Sequence, residues 1–273
     1  MTRSRWRFWA LWIVLAVIII VIDSPLLNAV LTSIKTSGDI NSFPPKWIFG
    51  PTLIHYHHLF DGQYPFLSYF MNSIIISVGA SILVVLVTFP GAYAMVRLGA
   101  GKRLLGSIVS LRLLPPIIFA IPFYVLFQNI GLLDTKIGLI LINALFNLPL
   151  SILLFISFIQ ELPYELEEAG YVDGCTTYGL LWRIVFPLIA PGAASVMILT
   201  FVFTWNEFLF ALILTAQNAI PITVGATMFI TSWGIKWGDI SAAIVLSVLP
   251  PLLFTIVLQK YLVKSMAMGG LKG

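Results

Sequence analysis

A chain of 273 residues that is 59% hydrophobic and only 10% charged, with mean hydropathy +1.01, lies far from soluble domains, which run about 45–50% apolar and about 25% charged. This excludes an ordinary cytosolic enzyme, a disordered chain and a disulfide scaffold, the last also because Cys175 is the only cysteine. The net charge of +4 is read as membrane topology and not as a nucleic-acid surface, because Lys and Arg accumulate in cytoplasmic loops.

A bilayer core requires about 20 consecutive, mostly apolar helical residues. Six stretches qualify: Phe8–Leu31, Phe70–Val96, Ile108–Gln128, Ile137–Ile159, Gly192–Ala216 and Ile240–Val263. They are continuous apolar runs without strand alternation, which predicts an all-α membrane protein of six transmembrane helices and not a β-barrel. Arg3, Arg5 and Arg7 precede the first stretch; Arg97, Lys102 and Arg103 follow the second; Lys260, Lys264 and Lys272 lie at or after the end of the sixth. With Arg183 these make ten on one side, against Lys35, Lys46, Lys136 and Lys236 on the other. Both termini are therefore expected in the cytoplasm. The basic start and the apolar run Phe8–Ile22 resemble a signal peptide, but no small-residue cleavage site follows, so an uncleaved first span is expected.

The connection 32–69 is the longest outside the membrane. Its Trp47, Tyr56, Phe60 and Tyr64 suit a segment lying along the headgroups. All three histidines stand here, in His55-Tyr56-His57-His58. With no paired cysteine, and Asp61 the nearest acid, the segment is read as interfacial and not as a metal site. Residues 1–69 form a first helix and outer loop, 70–263 the core membrane domain, and 264–273 a cytoplasmic tail.

The loop from Gln160 to Gly192, between the fourth and fifth stretches, carries the most information. Pro163 suits a first helical turn. Glu165, Glu167 and Glu168 sit near the positive end of the helix dipole. Gly174 can end that helix in a left-handed conformation. Thr176 or Thr177 can cap a second helix, which Pro187 closes. The first helix is expected to be roughly 15 Å long. Five acids (Glu161, Glu165, Glu167, Glu168, Asp173) against one base, Arg183, predict an acidic exposed knob, either merely solvated or docking a soluble partner. Cys175 is expected to be a small buried side chain at that surface.

Here the sequence resembles the permease subunits of binding-protein-dependent ABC importers, whose cytoplasmic motif reads Glu-Ala-Ala, three residues, Gly, nine residues, Ile-x-Leu-Pro. This chain has Glu168-Ala169-Gly170, three residues to Gly174, and nine more, Cys175–Arg183, before Ile184-Val185-Phe186-Pro187. It departs in Gly170 for the second alanine and in Phe186 for leucine. Trp205-Asn206-Glu207-Phe208-Leu209-Phe210, Pro44-Pro45-Lys46-Trp47 and the ending Gly269–Gly273 resemble the carbohydrate type, MalG-like subunits in particular. The resemblance implies the type I importer fold and Glu165, Glu167, Glu168, Ala169, Gly170, Asp173, Gly174, Ile184 and Pro187 as the ATPase-coupling surface. It also implies a second homologous permease subunit, two ATPase subunits and an extracytoplasmic solute-binding protein. No phosphate-binding loop of the form G-x-x-x-x-G-K-[ST] is present: in Gly99-Ala100-Gly101-Lys102-Arg103 the first glycine is Val96 and Arg103 follows the lysine. No cofactor is expected on this chain, and ATP and Mg belong to the partners.

Polar groups inside the predicted spans are costly and so have reasons. Arg112, Asn143, Asn147, Trp205, Asn206 and Glu207 are the candidates for a translocation pathway. Amides and carboxylates can bond sugar hydroxyls, and Trp205 can cover a sugar face. For Asn143 and Asn147, one turn apart, interhelical bonding is the equal alternative. Arg112 can pair with Glu207 or Asp23. A stand-alone secondary transporter would show inverted repeats, and a membrane enzyme would need a catalytic cluster; neither signature is found, and neither class explains the acidic loop.

Overall fold

A computed structural model describes residues 2–62, 65–231 and 234–269. Tyr64 and residues 270–273 lie outside them. Within the described residues the chain is mostly helical, with one antiparallel pair of two-residue strands, Ile230–Thr231 and Gly234–Ile235. Two compact units emerge, one gathering the chain up to Leu67 with Ala226–Leu249, the other Ser68–Gly225 with the chain from Pro250.

The first unit begins with α1, Thr2–Ser33, which runs unbroken through Asp23 and Pro25. Its side chains from Phe8 to Ile22 are all exposed, as an apolar helix facing lipid or a partner would be. The outer loop that follows is ordered by polar contacts. Thr36 caps a helical turn, Ser37–Ile40. Asp39 pairs with Lys46 at 2.8 Å, and Lys35 donates to the Lys46 carbonyl while lying over Phe49. Trp47 and Phe60 are exposed, as the interfacial reading expects. Tyr56 instead bonds Ser33 through their hydroxyls at 2.9 Å. It belongs to a short helix, α2, Ile54–Phe60.

The second unit is built on three long or bent apolar elements. Helix α3, Phe66–Arg97, contributes from Ser68 onward. After it come α4, Lys102–Leu111, and α5, Ala120–Asn129, preceded by a 3-10 turn at Pro116–Phe119. Next is α6, Lys136–Gln160, capped by Thr135, whose hydroxyl accepts from the Gly138 N–H. The core is apolar and close-packed: Val84, Phe89, Ala92, Phe155, Ile159, Leu180, Val185 and Val196 are fully buried.

Among the described residues, four helices are long and apolar enough to cross a membrane: Phe8–Ser33, Phe66–Arg97, Lys136–Gln160 and Trp237–Leu258. The pair α8, Thr177–Leu188, and α9, Ala190–Trp205, passes as a fifth, bent by 79°. The expected third span, Ile108–Gln128, is not one helix. It breaks at Arg112–Pro115, because two successive prolines remove N–H donors and exclude the preceding residues from helical geometry. The apolar helix after the break, Pro116–Asn129, is roughly 20 Å long, short of a ~30 Å hydrocarbon core. The expected fifth span also stops early. α9 ends at Trp205, and a separate short helix, α10, spans Leu209–Leu214. The last helix, α11, Trp237–Gly269, carries Pro250 and Pro251 inside it.

Candidate coupling surface and polar break

The loop expected to dock a partner folds as helix, glycine turn and helix. Its first helix, α7, covers Glu165–Val172. Gly174 adopts φ +82°, open to glycine at no steric cost. The Gly174 N–H reaches the Tyr171 carbonyl and the Cys175 N–H the Gly170 carbonyl, both at 3.0 Å. These are the two bonds of a Schellman stop. Thr176 then caps α8, its hydroxyl accepting from the Gly179 N–H at 3.2 Å. Pro187 does not close α8, as the sequence suggests. Lacking an N–H, it leaves the Arg183 carbonyl without its helical partner. The turn before it, Leu181–Val185, loosens into π geometry, and the helix ends at Leu188.

The three glutamates of α7 do not share one role. Glu165 and Glu168 are exposed, with Ala169 and Asp173. Glu167 is fully buried and is not part of an exposed knob. Arg97 donates through Nε to Glu167 Oε1 at 2.7 Å, and the Tyr93 hydroxyl donates to Oε2 at 2.8 Å. Arg97 Nη2 also reaches the carbonyls of Leu162 and Ile159 at 2.9 and 3.2 Å, and its guanidinium lies over the Tyr164 ring. One guanidinium thus ties the end of α3 to the end of α6 and the start of α7. A charge this deep is stable only with such partners. In the sequence Arg97 reads only as a topology charge, and nothing marks Tyr93. The usable signal was an arginine closing a span opposite an acid-rich loop.

Gly170 lies against Ile184 and Leu180: a Cβ there would stand 2.7 Å from Ile184 Cδ1. The glycine is a close-packing contact between α7 and α8, so its low helix propensity is not its only effect. Ile184 is half-buried and Pro187 exposed. The outward side carries Val172, 88% exposed, and Tyr178, 74% exposed. A cleft of about 430 Å³ opens beside the turn, lined by Asp173, Gly174, Cys175, Tyr178, Trp182 and Arg183. Cys175 is half-buried at its edge.

The pathway candidates separate in the same way. Trp205 is 4% exposed, stacked one helical turn from Phe201 and edge-on to Phe70. It is a core aromatic of this chain and cannot cover a sugar face. Asn143 and Asn147 are buried, and their amides donate to carbonyls one turn back on α6 at 2.9 Å. Asn147 also approaches Thr204 of α9 at 3.5 Å, the helix-joining alternative. Glu207 accepts from the N–H groups of Phe210 and Ala211 at 2.8 and 3.0 Å. Its carboxylate caps α10 and is not paired with Arg112. The side chain competes with the helical carbonyls, and this ends α9. Asn206, exposed, returns its amide to the Val202 carbonyl at 2.8 Å. Arg112 is exposed and lies over the Phe203 ring, 5.8 Å from its centre. The outcome is a polar break between α9 and α10, flanked by the exposed rings of Phe203 and Phe208.

Beyond the break, Asp134, at φ 55°, accepts from the N–H groups of Ala216, Gln217, Asn218 and Ala219 at 3.0–3.2 Å. Burial pushes its carboxyl up, but these four donors outweigh it and hold the pKa at about 2. Asn72 donates to the carbonyls of Asn218 and Ile220, so the loop after α10 is pinned from both sides. No local pattern marks this loop, because its partners are far apart in the chain.

A family model described as "Binding-protein-dependent transport system inner membrane component" matches residues 88–268. Over 271 residues the chain is 35% identical to the probable ABC transporter permease protein y4oR of Sinorhizobium fredii (strain NBRC 101917 / NGR234), covering 98% of this chain and 96% of that one. It is 34% identical over 227 residues to the trehalose transport system permease protein SugB of Mycobacterium tuberculosis (strain CDC 1551 / Oshkosh), covering 81% and 82%. The fold is similar to a chain in the crystal structure of a bacterial ABC transporter involved in the import of the acidic polysaccharide alginate. There the TM-score is 0.79 at 21% identity, with 96% of this chain and 98% of that chain covered.

Proposed function

Since the chain belongs to the family of binding-protein-dependent transport system inner membrane components, we propose that α7 and α8 are the lever through which partner ATPases drive it. The chain is a permease subunit of an ABC importer, a multi-pass inner-membrane transport protein and not itself an enzyme. We propose that it forms half of the pathway for a carbohydrate-like solute, paired with a second permease and served by two ATPase subunits and a solute-binding protein. ATP and Mg reside on the ATPases, and both termini face the cytoplasm.

One observation carries the lever: α7 is held from within by Arg97 and Glu167, while Glu165, Glu168, Asp173, Val172 and Tyr178 stay exposed. A surface of that kind can seat in a partner groove and transmit force without unfolding. When ATP draws the ATPases together, α7 moves with them, and the Arg97 contacts carry the displacement to α3 and α6. The pathway opens outward and the binding protein releases solute. Along the route, the break between α9 and α10 exposes Asn206 together with its sequence neighbours Phe203 and Phe208. That pairing of hydrogen-bonding group and apolar ring suits sugars, and interrupted spans suit solute sites.

The test begins with purification of the chain in mild detergent from its native host, which should bring a second permease and an ATPase with a phosphate-binding loop. In vesicles holding that complex, Glu168→Arg should abolish solute-stimulated ATP hydrolysis while the permease pair still assembles. Wild-type hydrolysis and uptake in that variant would overturn the lever assignment.

A further inference from the structure

The transport reading leaves the histidines of the outer loop unused, and their surroundings are unlike a simple interfacial segment. His55, His58 and Asp239 converge within the first unit. His55 Nδ1 stands 2.6 Å and His58 Nδ1 3.1 Å from the same oxygen, Asp239 Oδ1. All three candidate ligand atoms lie within 4.8 Å of one another. His55 and Asp239 side chains are 4% and 6% exposed, and His58 is 32% exposed. Asp239 stands in the first turn of α11, and the acid meeting these histidines is therefore not Asp61. Gly238 leaves room for the ring: a Cβ there would collide with the His55 imidazole.

The hydrogen-bond inventory points to a cation. His55 Nε2 faces the Lys35 carbonyl at 2.9 Å. A carbonyl only accepts, so Nε2 carries a proton. In the neutral ring, Nδ1 then directs a lone pair at a carboxylate oxygen. Two lone pairs at that distance need a positive charge between them, either a proton or a metal ion. A backbone carbonyl that fixes the tautomer of a ligating histidine is the usual outer-shell arrangement of metal sites. His58 adds a second Nδ1 directed at the same point. His57, between them, is exposed and lies outside the cluster. Beside the three opens a cleft of about 380 Å³ whose lining includes Ser37, Asn41 and Lys236, so a fourth coordination position can be filled by water.

We propose that His55 Nδ1, His58 Nδ1 and Asp239 Oδ1 form a binding site for a borderline divalent transition metal, zinc being the best fit. Two imidazoles, one carboxylate and one open position are a known zinc donor set. Tetrahedral ligation at about 2.0–2.2 Å sets ligand atoms roughly 3.3 Å apart. The His58 separation already matches, and the His55 pair has to open by roughly 0.7 Å. The ion would clamp α2 to the first turn of α11, at the face the charge bias places outside. The site does not depend on the transport reading.

The test uses the full-length chain in detergent, purified on an affinity tag free of histidine. Zn2+ is titrated against a chromophoric chelator, and Co2+ is added separately as a spectroscopic probe. One equivalent of Zn2+ should bind, and Co2+ should show the visible bands of a tetrahedral site. His58→Asn and Asp239→Asn should each weaken Zn2+ by at least about 100-fold, the upper range for loss of a mere outer-shell partner. His57→Asn should leave it unchanged. His58 is partly exposed, so its variant tests the site even where substitution of His55 disturbs folding. Absence of saturable Zn2+ binding by the wild-type chain would overturn the proposal and leave a proton between His55 and Asp239. Equal weakening by His57→Asn would overturn it as well.

Discussion

Glu167 and Glu207 are two of eleven acids in the chain, and they meet their hydrogen-bonding needs in opposite ways. Glu167 is held by side chains 70 and 74 positions earlier, Arg97 and Tyr93. Glu207 is held by the backbone N–H groups three and four residues after it. The first arrangement joins helices that the chain alone would not bring together. The second ends one helix and starts another. A carboxylate at the proposed lever therefore maintains assembly, and a carboxylate at the proposed pathway maintains a local break. In each region one of the residues that the sequence marks as functional is turned inward, and others of the same set, Glu165 and Glu168 at the lever and Asn206 at the break, remain exposed to meet a partner or solute.

This contrast can be broken by substitution. Arg97→Ala strands a buried carboxylate and should cost about 3–5 kcal/mol, read as a fall in thermal midpoint in detergent with loss of assembly. Arg97→Lys should recover only part of it, since an ammonium cannot reach Glu167 and two carbonyls in one plane. An unchanged midpoint in Arg97→Ala would show that the Arg97–Glu167 contact does not hold these helices together. Glu207→Ala should cost less, about 1–2 kcal/mol, as for a lost helix cap. Its signature is local: faster hydrogen exchange at the Phe210 and Ala211 amides, with α7 unaffected.

Gly174→Ala should cost about 1 kcal/mol, because an L-residue is forced into the left-handed region, and ATPase coupling should weaken with it. Glu168→Arg sharpens the comparison further. As an exposed substitution it should shift stability by no more than about 0.5 kcal/mol, yet stop coupled transport. A last effect concerns Asp134 and is read as a pH dependence. Its pKa is depressed to about 2, so its contribution is complete above the unfolded value of about 3.9 and is lost as pH falls toward the folded one. A pH series of thermal midpoints should show an acid limb that Asp134→Asn flattens.

Much of the fold was legible beforehand. Four of the six expected stretches appear as long apolar helices with boundaries close to those read from the sequence, such as Lys136–Gln160 for Ile137–Ile159. The helix–Gly174–helix element was legible too, because a Schellman stop and a threonine cap use residues adjacent in sequence. Sequence reading failed where local signals competed. The third stretch reads as one continuous span, and Pro115 and Pro116 break it; Glu207 reads as a pathway group and stops α9.

The sequence by itself determined the solvent and the rhythm of this protein. Its composition demanded a bilayer, and its caps, glycines and prolines set where helices start and stop, since those effects act within a few residues. Only the tertiary structure decided which polar side chains face inward. Glu165, Glu167 and Glu168 share one helical turn and one chemistry, and only packing of α7 against Arg97 separates the buried one from the exposed two. His55 and Asp239, 184 positions apart, meet for the same reason. Contacts between distant segments depend on how helices pack, and no local pattern in the chain records that packing.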